Sequence, residues 1–149
     1  MILILLGIIV MMACLGIQIV TVALVIRQYS RSAKRVFSGR PYFEAYKELS
    51  HVMVLLLFSG MFQMSGWAIL YLLLGQFDDF ETALYFSGIT FTSLGYGDIT
   101  LPKRVRILSA MEAADGLMMF GIISAVFMGA LQNSVARVRA ALEKPAATD

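Results

Sequence analysis

The chain has 149 residues, of which 59% are hydrophobic and only 15% charged, with a formal net charge of +2. Soluble domains carry about 25% charged residues, so this balance excludes an ordinary water-solvated domain and points to lipid. One small bundle is expected rather than two domains, and the single cysteine, Cys14, excludes an intrachain disulfide and is expected to pack as a small apolar residue.

Three stretches are long enough to cross a bilayer core, which takes about 20 apolar residues. The first, Ile2 to Ile26, contains no charge. It lacks a basic leading region, its apolar run is too long for a signal peptide, and no A-x-A-like site follows. A retained helix over residues 1–26 is therefore expected. The connector, residues 27–50, mixes bases with Phe37, Tyr42, Phe43 and Tyr46. Such a mixture suits a segment lying among lipid headgroups, where the bases meet anionic lipid; a solvated loop with interfacial aromatics reads equally well. Pro41 is placed to start the helix that feeds the second span. His51 opens that span, as an interfacial histidine rather than a pH sensor.

The second stretch runs from Val52 to Leu74 without a charge, and the third from Ile107 to Leu131 with two acids, Glu112 and Asp115. Between them lies Phe80 to Thr92, too short to span and suited to a half-membrane or re-entrant helix. Basic residues set the orientation. Arg27, Arg31, Lys34, Arg35, Arg40 and Lys47 of the connector and Arg137, Arg139 and Lys144 of the tail share one side when three helices span. That side is then cytoplasmic, the N-terminus lies outside, and Lys103, Arg104 and Arg106 are the outer minority.

The sequence FTSLGYGD, residues 91–98, places two glycines and several polar groups between apolar runs. Irregular backbone at membrane depth is tolerated only where protein buries it or water reaches it, so the short helix and its glycine-containing return suggest a lined cavity. Glycine permits dihedrals that turn successive carbonyls to one side, and four such strands would stack oxygen rings able to replace a cation's hydration shell.

Thr92-Ser93-Leu94-Gly95-Tyr96-Gly97-Asp98 resembles the filter signature of potassium channels, T-T-V-G-Y-G-D, in the order span, short helix, filter, span. The resemblance covers roughly the two-helix pore domain and leaves the first span outside. It implies ion coordination by the carbonyls of Ser93, Leu94, Gly95 and Tyr96, with the Ser93 hydroxyl completing the innermost site and Gly97 forming the outer turn. Thr92 ends the short helix as part of the motif and supports it. The sequence departs from the family at Ser93, which keeps threonine's oxygen but loses its methyl, and at Leu94, which replaces valine. By the same resemblance Tyr96 and Asp98 point away from the axis and meet aromatics of the short helix, here Tyr85 and Phe86. Of these only Tyr85 has a hydroxyl to offer Asp98.

On a helical wheel at about 100° per residue, Leu117, Phe120, Ser124, Phe127, Met128 and Leu131 share one broad face of the third span, beside a small-residue stripe of Gly121, Ala125 and Gly129. The resemblance makes the first set the cavity lining, with a hydrophobic inner gate among Phe127, Met128 and Leu131, and makes Gly116 a hinge. Intramembrane acids are functional candidates. Asp115 lies nearly opposite the cavity face, with Trp67, Ser65 or Gln63 as partners. Glu112 is placed to reach behind the filter near Thr90 or Ser93, bonding structurally and modulating the filter.

The expected fold is an all-α membrane protein with three transmembrane helices, a re-entrant short helix and a filter, assembled as a homotetramer. Residues 51–135 form the pore domain (outer helix 51–75, short helix 80–92, filter 93–98, inner helix 106–133), and residues 136–149 form a cytoplasmic tail. The implied function is passive, potassium-selective conduction in the inner membrane of a prokaryotic cell. Potassium ions occupy the filter and no cofactor is required. A weakly selective cation channel and a non-conducting accessory subunit are the alternatives. With one histidine, one cysteine and no nucleophile–base or metal-ligand spacing, no enzymatic activity is expected, and no nucleic acid partner.

Overall fold

The computed structural model describes residues 1–32 and 40–143. These form four α-helices: α1 (Ile2–Ser32), α2 (Pro41–Leu73), α3 (Phe80–Phe91) and α4 (Ile107–Leu142). No strand occurs among the described residues. Helices α1, α2 and α4 are long and apolar enough to cross a membrane. With 31, 33 and 36 residues at about 1.5 Å each, all three outreach a hydrocarbon core of about 30 Å. The 12 residues of α3 reach only about 18 Å.

The helices run further than the apolar stretches. Arg27 to Ser32 continue α1, Pro41 to Ser50 belong to α2, and α4 extends to Leu142. Hydropathy marks where lipid contact ends, whereas a helix ends only at a breaker, and neither RQYSRS nor QNSVARVRAAL contains one. Of the connector, the described residues 27–32 and 41–50 are helix; its Lys34, Arg35 and Phe37 lie outside the described residues, as does Lys144. Pro41 does stand in the first turn of α2, where its missing N–H costs no intrahelical bond. Tyr42, Phe43 and Tyr46 are exposed on the first two turns, and the Lys47 ammonium lies 4.5 Å above the Phe43 ring.

The turn between α2 and α3 is encoded locally. Gly75, at φ +63°, donates its N–H to the Leu72 carbonyl, and Gln76 donates to Tyr71, closing α2 in a Schellman motif. Asp79 then caps α3, accepting from the Thr82 N–H at 2.8 Å and the Thr82 hydroxyl at 2.7 Å. The Thr82 N–H holds the exposed Asp79 carboxyl below the usual aspartate range.

Helix α2 packs on all three others, and α1 packs on α2 and α4 but not on α3. One core, at the α3 end, gathers Trp67, Leu70 and Tyr71 of α2, Phe86 and Phe91 of α3, Leu108 and Met119 of α4, and Cys14 of α1. The Tyr71 ring meets Phe86 edge-on at 5.2 Å, a favoured aromatic geometry. A second core, towards the opposite end, joins Val25, Val52, Leu56 and Ala130.

Lipid removes the hydrophobic drive between helices, so packing and polar ties decide their association. Three ties hold α1. The Gln18 side-chain oxygen accepts from Gln63 Nε2 at 2.9 Å, and Thr21 Oγ1 donates to Ser59 Oγ at 3.0 Å. Near the far end, the Tyr29 hydroxyl donates to the Ala130 carbonyl at 2.7 Å and lies 3.0 Å from Ser134 Oγ.

Candidate functional site

Helix α3 ends by running its chain into residues 92–98. Thr92 caps it, with its hydroxyl donating to the Gly88 carbonyl at 2.7 Å. Ser93 then turns left-handed, at φ +58°, a position where glycine is usual because a Cβ crowds the backbone. Its N–H donates to Thr90 and that of Gly95 to Ile89, so these two carbonyls near the end of α3 are satisfied by the turn itself.

Left-handed residues then alternate with ordinary ones. Gly95 stands at φ +51° and Gly97 at φ +78°, while Leu94 and Tyr96 keep negative φ. In a uniform strand successive groups point to opposite sides. Reversing the sign of φ at every second residue breaks that alternation, a backbone pattern that lets successive carbonyls face one side. Gly95 and Gly97 make it affordable sterically, and Ser93 adopts it without that freedom. All of residues 92–98 are exposed in the single chain.

The loop is braced from α3. The Tyr85 hydroxyl donates to Asp98 Oδ2 at 2.7 Å, and this bond to a carboxylate pushes the phenol's pKa up. Phe86, expected to face the same loop, is instead buried between Tyr71 and Phe77. Tyr85 therefore makes the hydrogen bond to the loop, while Phe86 also lines the groove beside Ser93, Gly95 and Gly97 and contributes packing. Between α3, the loop and the start of α4 lies an open groove of about 690 Å³, lined by Thr90, Ser93, Gly95, Gly97 and Arg106 among others.

Behind α3, the two acids of α4 are fully buried. Asp115 accepts from Trp67 Nε1 at 2.9 Å, the first of its expected partners. Ser65 bonds within α2 and Gln63 turns to α1. The Cys14 thiol lies beside Asp115. Glu112 meets neither Thr90 nor Ser93. Its Oε2 accepts from the Tyr71 hydroxyl at 2.6 Å, and its Oε1 pairs with Ser87 Oγ. Position along α4 gives the depth of Glu112 but not the rotation of α3, which offers Ser87 at this depth. Tyr71 and Ser87 were missed; serine inside an apolar 12-residue helix was the available signal.

Gly116 is buried where α3 ends on α4. A Cβ there would overlap the Phe91 carbonyl, so a bare backbone is what lets the two helices meet. Helix α4 passes through Gly116 unbroken. On its outer face Leu117, Phe120, Ser124 and Met128 are exposed, with Leu131 half-buried. Phe127 departs from this set and packs partly against the Val25–Val52–Leu56 core. Phe120 touches Phe91 at 6.1 Å between ring centres.

At the opposite end, Arg137 Nη1 reaches Glu48 at 2.8 Å, joining the end of α4 to the start of α2. No cluster of three or more potential metal-binding His, Cys, Asp or Glu side chains occurs among the described residues.

No curated protein and no solved structure matches the chain. Residues 51–133, more than half of it, match the sequence model of a family described as ion channel. That segment runs from the start of the second span through α3 and the braced loop into α4, the elements assembled above. Three helices able to cross a membrane and this match make the chain an integral membrane protein of the ion channel family.

Proposed function

We propose that the chain forms a homotetrameric, potassium-selective channel, with residues 93–97 as its filter. The observation that carries this is the alternation of left-handed residues at Ser93, Gly95 and Gly97. It follows a helix too short to span, in a loop bearing the sequence TSLGYGD. Carbonyls of Ser93, Leu94, Gly95 and Tyr96 would replace the water around a dehydrated potassium ion, and ions in adjacent sites would repel one another outwards. One chain supplies one strand, so a closed ring requires further copies. The exposure of the whole loop supports that requirement, because irregular backbone at membrane depth needs protein or water around it. The groove beside Thr90 and Arg106 and the bare face of Leu117, Phe120, Ser124 and Met128 are where neighbouring copies and the central cavity would lie.

Asp98 and Tyr85 hold the outer end of the filter, and Met128 and Leu131 narrow the inner mouth. The excess of basic residues at the end bearing Glu48 and Arg137 supports a cytoplasmic position for that end, against anionic lipid, with the N-terminus outside, and the inner membrane of a prokaryotic cell is the location proposed. A weakly selective cation pore is the alternative, favoured by Ser93 and Leu94 standing where the resembled family has threonine and valine. Purified protein in liposomes decides. A potassium gradient drives barium-sensitive flux and a sodium gradient does not. Equal flux of both ions would establish the weakly selective pore, and absence of any flux would leave an accessory subunit.

A further inference from the structure

Three oxygen–oxygen contacts run in series through the buried core. Tyr71 Oη meets Glu112 Oε2 at 2.6 Å, Glu112 Oε1 meets Ser87 Oγ, and Ser87 Oγ meets the Met64 carbonyl at 2.8 Å. Tyr71, Ser87 and Glu112 are all fully buried. Each contact needs one proton. The Met64 carbonyl only accepts, and the tyrosine and serine hydroxyls supply one proton each. An ionised Glu112 also only accepts, so two protons would serve three contacts. One pair of acceptor oxygens would then be pressed together at bonding distance with nothing between them.

A third proton, on Glu112 Oε1, completes the series. Tyr71 donates to Oε2, Glu112 donates to Ser87, and Ser87 donates to Met64. The groups facing Glu112 agree. They are Cys14 of α1, Tyr71 of α2, Ser87 of α3 and Asp115 of α4, and no cation is among them to offset a carboxylate in the membrane interior. We propose that Glu112 is a neutral carboxylic acid whose proton ties α3 to α4 and, through Ser87, to α2, making it a positioning residue for the loop at residues 92–98. Ser87 stands five residues before Thr92 on the helix that delivers that loop. The consequence for conduction rests on the proposed potassium channel; the protonation itself does not.

Infrared spectroscopy of the full chain in lipid vesicles at neutral pH tests it. The wild-type-minus-Glu112→Gln difference spectrum should contain the C=O stretch of a protonated carboxyl, above the amide I band. Ser87→Ala should shift that stretch upwards by removing its acceptor. Loss of ionised-carboxylate bands instead would overturn the proposal. In flux, Glu112→Gln keeps an acceptor for Tyr71 and a donor for Ser87 and stays within about threefold of wild type. Glu112→Ala falls by about tenfold or more, the size expected when buried polar groups lose their partners. Equal loss in both variants would overturn the positioning role. A wild-type protein that conducts nothing would refute the channel and leave the infrared result to decide the proton.

Discussion

Replacing Gly116 by alanine tests whether the end of α3 truly rests on α4. The new methyl would overlap the carbonyl oxygen of Phe91 and crowd its carbonyl carbon at 2.7 Å and its Cα at 3.1 Å. Ordinary contact begins near 3.4 Å, and the atoms met are backbone at the start of the turn into Thr92 and Ser93. They cannot rotate away as a side chain would, so α3 and α4 must separate. Overpacking a well-filled core costs about 1–3 kcal/mol, and a backbone clash belongs at the top of that range. Against it stands a gain of about 0.5–1 kcal/mol for alanine over glycine inside a helix. The net expectation is a loss of about 2 kcal/mol, or roughly thirtyfold in the equilibrium between packed and unpacked forms. Thermal denaturation of the detergent-purified protein, followed by size-exclusion chromatography, reads the loss, and liposome flux reads its effect on the loop. Gly66→Ala is the control, because a Cβ there meets nothing within 4 Å, and it should be neutral or slightly stabilising. A Gly116→Ala protein matching wild type in both assays would refute the seating of α3 on α4.

Gln63→Leu removes the donor to Gln18 and Ser59 and should weaken α1 docking by about 0.6 kcal/mol, the average for hydrogen bonds between membrane helices, and by no more than about 1.7; thermal denaturation in detergent measures it. Arg137→Gln leaves Glu48, whose side chain is 7% exposed, without its ion pair. The cost should fall between an exposed pair at about 1 kcal/mol and a buried one at about 3–5, and a double-mutant cycle with Glu48→Gln checks the coupling. Tyr85→Phe removes the bond to Asp98 and should raise sodium leak relative to potassium flux in liposomes. The Asp79 cap is fully formed above the usual aspartate pKa and is lost as pH falls through the lowered value of this carboxyl. Flux should therefore fall on acidification of the α3 side, and Asp79→Asn, which caps without ionising, should flatten that dependence.

Much of the fold is legible because lipid imposes a simple rule on sequence. Three apolar runs give three long helices, and a run too short to span gives α3, with Asp79 and Gly75 marking its approach. The helix ends are less legible, since hydropathy reports the edge of the lipid and α4 runs on through Arg137 and Arg139. Within the site, depth narrows the partner of Asp115 to Trp67, Ser65 or Gln63, of which the structure takes Trp67, and the pairing of Tyr85 with Asp98 follows from the resemblance to the potassium-channel filter. The place of Glu112 does not, because spacing along α4 says nothing about how α3 is rotated against it. Phe86 shows the same limit: one residue beyond Tyr85, its ring packs on Tyr71 and Phe77, contacts that spacing along α3 does not give. The docking of α1 was readable in part. Gln18 and Thr21 are polar residues three apart in the otherwise apolar stretch of residues 2–26, and Ser59 and Gln63 are four apart on α2, so each pair lies on one helix face.

Those ties give the first helix a place in the molecule although the family match begins at residue 51. Helix α1 touches α2 through Gln18 and Thr21 and α4 through Tyr29, and its Cys14 sits in the same core as Trp67 and Leu108. Helix α4 is consequently held at two levels. Near α3 it is held by Glu112, Asp115 and the close approach at Gly116. Near its far end it is held by Tyr29 at Ala130 and Ser134, and by Glu48 at Arg137. Between these levels, Leu117, Phe120, Ser124 and Met128 remain exposed in the single chain. Any displacement that splays the far end of α4 from α1 and α2 must break the Tyr29 and Glu48 contacts together, whereas a bend confined to the Gly116 region leaves them intact and instead unseats Phe91. The two motions therefore expose different bonds to mutation, which is why Arg137→Gln and Gly116→Ala probe separate ends of one helix.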